Sequence, residues 1–274
     1  MIPAAFEYVR ADSAGHAISL LQEHGDDAKL LAGGHSLIPL MKYRLASPAV
    51  IIDIGRLSDL SYVKEDGANL RIGALTRHRN LEIDPLLKQH APLLANAASH
   101  VGDPQVRHRG TIGGSLSHGD PASDLPAVAI ALGATLVIQG ANGTREVSSD
   151  DFFQGFLETA VGPDELLVEI KVPKMNGAKW SFQKFNRRAM DWAIVGCAVV
   201  VDGNKAGVGL VNMDSRPVRA SAVEAAIGSG ANATDAAASA DAGTEPPADL
   251  NASVEYRRHL AKVLVRRALE EAGK

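Results

Sequence analysis

Two glycine turns carry the residue types best suited to chemistry in this sequence. Gly33-Gly34-His35-Ser36 follows residues 28–32, an apolar run too short for a helix and expected as a buried strand. It precedes a short helix that Ser36 can cap and that tolerates Pro39 in its first turn. Arg109-Gly110-Thr111-Ile112-Gly113-Gly114-Ser115 repeats the pattern after another β-prone stretch, with Arg107 and Arg109 beside it. Turns of this kind point backbone N–H groups outward and suit phosphate. Two of them could hold the halves of one pyrophosphate. Gly33 and Gly113 are then expected to exclude a Cβ and to occupy positive φ. Each pair is also ordinary turn punctuation, and neither matches G-x-G-x-x-G or G-x-x-x-x-G-K-[ST]. Both readings stand at this point.

Composition narrows the classes. A chain of 274 residues with 46% hydrophobic residues suits two or three soluble domains. A net charge of −4 argues against a nucleic-acid footprint. No apolar run reaches 18 residues, and the first residues do not read as a signal peptide, so a cytoplasmic location is expected. The one cysteine, Cys197, lies in an apolar strand-like run and is expected to be buried and inert. With one thiol and scattered histidines, no metal bound by this chain alone is expected.

The elements that position the turns read in order. The start reads β-α-β, with a helix from Ser13 to Gly25, strand 28–32 and strand 50–54. A hairpin is expected around Asp66-Gly67, then a helix from Thr76 to Ile83, a helix start at Pro85, and a core helix over 93–101 ending near His100. Residues 117–124 read as a loop, and Asp124 can cap a helix over 125–132. A hairpin around Asn142-Gly143 and a strand over 166–172 follow. Three strands are expected at 180–185, 193–201 and 206–211. Residues 229–247, rich in Ala, Gly, Ser and Asp, read as a mobile surface segment. Residues 253–272 read as a closing helix whose Arg257, Arg258, Arg266 and Arg267 form a solvated face or an interface.

Three ordered stretches carry a family resemblance: Ala32-Gly33-Gly34-His35-Ser36-Leu37-Ile38-Pro39, Arg109 to Gly114, and Asp120-Pro121-Ala122-Ser123-Asp124-Leu125-Pro126. With Phe156-Leu157-Glu158-Thr159, Pro163 to Leu167, Lys184-Phe185 and Tyr256-Arg257-Arg258, the chain resembles the FAD-binding medium subunit of molybdenum hydroxylases along nearly its whole length. That family includes aerobic carbon monoxide dehydrogenase and the flavin domain of xanthine dehydrogenase.

The resemblance implies an α+β fold. A two-part vanillyl-alcohol-oxidase-type FAD domain (1–57 and 58–173) would precede a C-terminal domain (174–274) with a three-stranded antiparallel sheet and helices. It implies that Ala32, Gly33, Gly34, His35, Ser36 and Leu37, with Thr111, Ile112, Gly113, Gly114 and Ser115, wrap the pyrophosphate of non-covalent FAD. Asp124 would accept from ribityl or ribose hydroxyls, Leu167 would lie against the isoalloxazine ring, and Lys184 would stand near its polar edge. Asp124 as a plain helix cap, and Trp192 as either a flavin shield or a core aromatic, stay open. Ser115 and His35 depart from the Asn and Gln frequent in the family. No catalytic residue and no metal ligand is assigned. The implied partners are a small subunit with 2Fe–2S clusters and a large subunit with the molybdenum cofactor, in a dimer of heterotrimers. A free-standing flavin oxidase or reductase and a nucleotide-binding interaction module are the rival readings.

Overall fold

The β-α-β start forms as a parallel sheet in the computed structural model, which describes residues 2–274. Strand β1 (Glu7–Arg10), helix α1 (Ala14–His24), β2 (Ala28–Leu31), α2 (Leu37–Lys42) and β3 (Val50–Asp53) alternate, and β3 lies between β1 and β2. Parallel neighbours need crossovers, which the two helices supply. Ser13 caps α1 by accepting from the His16 amide at 3.1 Å, and Gly25 ends it at φ +54°. Ser36 precedes α2 but makes no side-chain capping bond, contrary to expectation.

A five-stranded antiparallel sheet follows. The hairpin of β4 (Val63–Asp66) and β5 (Asn69–Gly73) leads into α3 (His78–Ile83), α4 (Pro85–His90), α5 (Pro92–Ser99), α6 (Pro104–Arg109), α7 (Ile112–His118) and α8 (Asp124–Leu132). Then come β6 (Thr135–Gly140), β7 (Gly143–Ser148), α9 (Ser149–Phe152), the small pair β8 (Phe153–Gly155) and β9 (Glu158–Thr159), and β10 (Leu166–Pro173). Strand β10 enters between the two hairpins, giving the order β4-β5-β10-β6-β7. Leu70, Ile72, Leu136, Ile138, Ile170 and Val172 form one core with α5, α7 and α8.

Local bonds correct three boundaries. Helix α3 starts two residues late because the Thr76 hydroxyl is buried and donates to the Tyr62 carbonyl at 3.0 Å. Helix α5 stops at Ser99, short of Val101. The second glycine stretch follows a helix, not a strand: Asp103 accepts from the Val106 amide at 2.9 Å and Pro104 opens α6.

The last part carries β11 (Lys179–Phe185), β12 (Val195–Asp202), β13 (Lys205–Val211), β14 (Val218–Arg219), α10 (Ser221–Gly228), α11 (Ala233–Ala237) and α12 (Val254–Glu271). Its sheet has four strands, one more than expected, because the two-residue β14 pairs with β13. Residues 229–247 are not a loose surface segment. Ala233, Ala236, Ala237 and Ala240 are buried in the core shared with α12. Nor is Arg257 solvated: it is fully buried, donates to the Ile194 carbonyl and pairs with Asp249 at 2.8 Å. Cys197 is buried as expected, and burial pushes its thiol up to about 12.

Helix α8 links the two larger sheets. Its sequence is apolar all round, the pattern of a helix covered on every side, and residues 124–131 are all buried. A Cβ on Gly207 or Gly209 of β13 would stand 2.0 Å from the carbonyl oxygen of Ala131 or Ala127, so these glycines let α8 lie directly on the sheet. That contact fixes where Asp124, the first residue of α8, can point.

Candidate functional site

A cleft of about 910 Å³ is lined from all four sheets. Such a volume lies at the upper end of small-molecule sites. Every residue expected at the cofactor lines it except Ile112, whose side chain is buried in the core.

The two glycine stretches differ in what they offer. The amides of Gly33, Gly34, His35, Ser36 and Leu37 meet no acceptor among the described residues. Four amides of the second stretch are taken, and that of Thr111 meets no acceptor among the described residues. Ile112 donates to the Thr76 carbonyl at 3.0 Å, Gly113 to Ala74 at 2.8 Å, Gly114 to the Thr111 hydroxyl at 3.1 Å and Ser115 to the Thr111 carbonyl at 3.0 Å. The first turn therefore has five open donors for an anion, and the second supplies mostly wall. Arg107 is likewise committed: it pairs with Glu82 at 3.0 Å and donates to the Val101 carbonyl.

The reason for glycine differs from the one expected. Neither Gly33 nor Gly113 has positive φ; Gly34 does, at +78°. A Cβ on Gly33 would meet the Arg109 carbonyl oxygen at 2.2 Å, and one on Gly113 the Ala74 Cβ and carbonyl oxygen at 2.5 and 2.6 Å. Close backbone approach, not left-handed geometry, excludes a side chain at both.

Asp124 does not cap α8. Its Oδ2 accepts from Lys184 Nζ at 2.7 Å, and the two side chains are 5% and 6% exposed. Lys184 also donates to the His100 carbonyl at 3.1 Å. Asp124 Oδ1 is buried without a partner. Burial pushes the carboxyl up to about 6, and Lys184 opposes that shift. The Lys184 cation is thus neutralised within the protein rather than offered bare to a ligand. Leu167 is buried beside a bulge in β10, between its pairings at Leu167 and Glu169. Trp192 is 56% exposed, so it is no core aromatic.

Histidines complete the cleft. His78, which carries no cofactor motif and is missed by sequence reasoning, is buried, and its Nδ1 has no partner. Burial holds its imidazole down at about 4. His35 is lowered by burial and by Arg109, and His118 by burial. Leu157 and Met190 also line the cleft, and only their place in the fold brings them there.

These features fit a dinucleotide cofactor. An unpaired buried carboxylate oxygen suits a ligand hydroxyl, and open amides suit a phosphate.

Comparison with known proteins agrees. Residues 4–175 match the model of the FAD binding domain in molybdopterin dehydrogenase, and residues 180–272 that of the CO dehydrogenase flavoprotein C-terminal domain. The chain is 42% identical to the carbon monoxide dehydrogenase medium chain of Hydrogenophaga pseudoflava, covering 99% of this chain and 98% of that one. It is 41% identical to the glyceraldehyde dehydrogenase medium chain of Sulfolobus acidocaldarius over 100% of both chains. The structure of the Hydrogenophaga pseudoflava carbon monoxide dehydrogenase that lacks the Mo-pyranopterin moiety superposes with a TM-score of 0.96 at 44% identity, covering 99% of this chain and 98% of that one.

Proposed function

This chain belongs to the FAD-binding medium-chain family of the molybdenum hydroxylases, and from that premise we propose that it is the electron-transfer flavoprotein subunit of such a complex. It receives electrons from an iron–sulfur partner and delivers them to an external acceptor. Substrate oxidation belongs to a large subunit with the molybdenum cofactor. The assembly proposed is a cytoplasmic dimer of heterotrimers. No helix of the described residues is long and apolar enough to cross a membrane.

The observation that carries the reading is the pairing of open amides at residues 33–37 with the unpartnered buried oxygen of Asp124 in one cleft. In this reading the amides bind the pyrophosphate. Asp124 accepts from a ribityl or ribose hydroxyl and is held in place by Lys184. Thr111, Gly113, Gly114 and Ser115 shape the adjoining wall. Leu167 and Trp192 flank the ring and restrict water. Bound FAD supplies the redox chemistry; the protein supplies binding, orientation and electrostatics. Because Asp124 and Lys184 form a neutral pair, the protein places little net charge beside the ring from these two groups.

The division into 1–57, 58–173 and 174–274 is proposed with it, supported by the three main sheets, each of which lies within one of these spans.

The test is reconstitution. The FAD-loaded chain is mixed with separately prepared small and large subunits, and flavin reduction is followed by stopped flow after substrate is added. Reduction only in the assembled complex is expected. Equal reduction by the isolated chain would replace this reading with a free-standing oxidase.

A further inference from the structure

Nothing in the proposed handling of FAD uses His78, although it lines the cofactor cleft. Its backbone is fixed, since the His78 amide donates to the Gly110 carbonyl at 3.0 Å. Its side chain is buried, yet Nδ1 meets no partner. A buried polar atom left alone costs stability, and at the wall of a cleft it calls for a polar ligand. We propose that His78 is a further FAD-binding residue, which meets the pyrophosphate and takes up a proton as the cofactor binds. The inference rests on the flavoprotein reading above.

Two close backbone approaches place the imidazole beside the turn with open amides. A Cβ on Gly33 would stand 2.9 Å from Gly110 Cα. A Cβ on Gly110 would in turn stand 2.7 and 2.9 Å from His78 Cδ2 and Nε2. Gly110 thus lies between the turn and the ring, and having no side chain it keeps them close. His35, on the turn itself, is near enough to act on the His78 charge. An anion held by the amides of residues 33–37 therefore comes next to the imidazole.

Until an anion arrives, the surroundings oppose a proton on His78. Burial does so most, then His35 on the turn and Arg107 on α6. Arg107 is itself paired with Glu82 of α3, and Arg109 and Asp103 act on His35 in opposite directions. Of the other helices packed on α3, α4 carries Lys88 and His90, and α5 carries no charged residue. The negative charge of the pyrophosphate reverses the balance. It raises the proton affinity of the imidazole; the proton comes from solvent, and the ring then offers two N–H donors. By linkage, a ligand that raises this affinity binds more tightly as pH falls. Asp124 works the other way, because a hydroxyl donating to it favours the ionised carboxylate and releases a proton held at low pH. The His78 contribution is therefore read with Asp124 unchanged.

The experiment uses the full chain. FAD titration of the parent at pH 8 tests the flavoprotein reading by itself. Calorimetric titrations at pH 6, in buffers of different ionisation enthalpy, then count the protons taken up per FAD bound. The parent is expected to take up on the order of half a proton more than His78→Gln, whose amide can donate to phosphate but cannot titrate. The FAD affinity of the parent relative to His78→Gln should rise by about threefold or more between pH 8 and pH 6. His78→Asn, a second uncharged amide at the same place, is expected to behave alike. A proton count equal in the parent and both variants, or an affinity ratio unmoved by pH, would overturn the role of His78 and leave the flavoprotein reading standing. A parent chain that does not bind FAD at pH 8 would instead overturn that reading, and this inference with it.

Discussion

Gly33 touches the backbone of Arg109 so closely that a Cβ on it would lie 2.2 Å from that residue's carbonyl oxygen. The turn with open amides is therefore seated directly on the chain that enters the second glycine stretch, and the two form one wall. Gly33→Ala is expected to cost about 1–3 kcal/mol of stability through overpacking and to weaken FAD binding. Gly15→Ala, on the exposed face of α1 with nothing near its Cβ, should instead stabilise by roughly 0.5–1 kcal/mol. Urea denaturation of both variants, with FAD titration, checks the contrast. Equal behaviour of the two would remove the packing argument.

Lys184 keeps a buried carboxylate ionised. Lys184→Met leaves Asp124 enclosed without a partner, and breaking such a pair costs about 3–5 kcal/mol. The loss should be large at pH 8 and smaller at pH 5, where the uncompensated carboxyl takes a proton instead. Adding Asp124→Asn should recover much of the loss at pH 8. A loss equal at both pH values would show that packing, and not charge, is what Lys184 supplies.

Two buried groups in the cofactor cleft act on stability in opposite directions. The Asp124 carboxyl is raised from 3.8 to about 6, so the folded state holds its proton longer than the unfolded chain, and stability falls as pH rises through that window. The His78 imidazole is lowered from 6.5 to about 4, so the unfolded chain binds the extra proton, and stability rises with pH over that span. His35, His100 and His118, all lowered, add to the His78 slope. The flavin-free parent chain should gain stability with pH between pH 4 and 6.5. Asp124→Asn should steepen that rise, and His78→Gln should reduce it. Unfolding midpoints measured across this range decide it; a profile unmoved by Asp124→Asn would contradict the assignment.

How far the sequence could be read depends on how local each determinant is. The start of the fold was legible because Ser13, Gly25 and the apolar run before Gly33 act within a few residues. The pairing of Asp124 was not, because Lys184, its partner, lies sixty residues further on and meets it only after the sheets close on α8. Segment 229–247 misled through composition. Four of its seven alanines, Ala233, Ala236, Ala237 and Ala240, are buried for their small size, which seats α11 against α12, while composition alone reads them as loop. The second glycine stretch misled because Asp103-Pro104 starts a helix where a strand was expected, a local signal that was available.

Arg257 also left a signal. It falls on the stripe of Leu260, Ala261, Leu264 and Ala268, which places it on the buried face of α12. Its bond to Ile194 holds α12 to the start of β12, and its pair with Asp249 ties down the loop before α12. Arg257→Ala is expected to destabilise by about 3–5 kcal/mol, against less than about 1 kcal/mol for Arg267→Ala on the exposed face. Chemical denaturation of the two variants measures the difference, and equal losses would return Arg257 to the surface.

The central claim is that this chain holds FAD through its own turn and its own carboxylate, without a covalent bond. Equilibrium dialysis of the full chain against FAD, followed by acid precipitation, tests it most directly. The account predicts one FAD per chain, all of it in the supernatant after acid, and binding lost in Asp124→Ala while the fold persists by circular dichroism. Failure of the folded parent chain to bind FAD, or flavin left in the acid pellet with a mass increase on the peptide carrying His35, would contradict it.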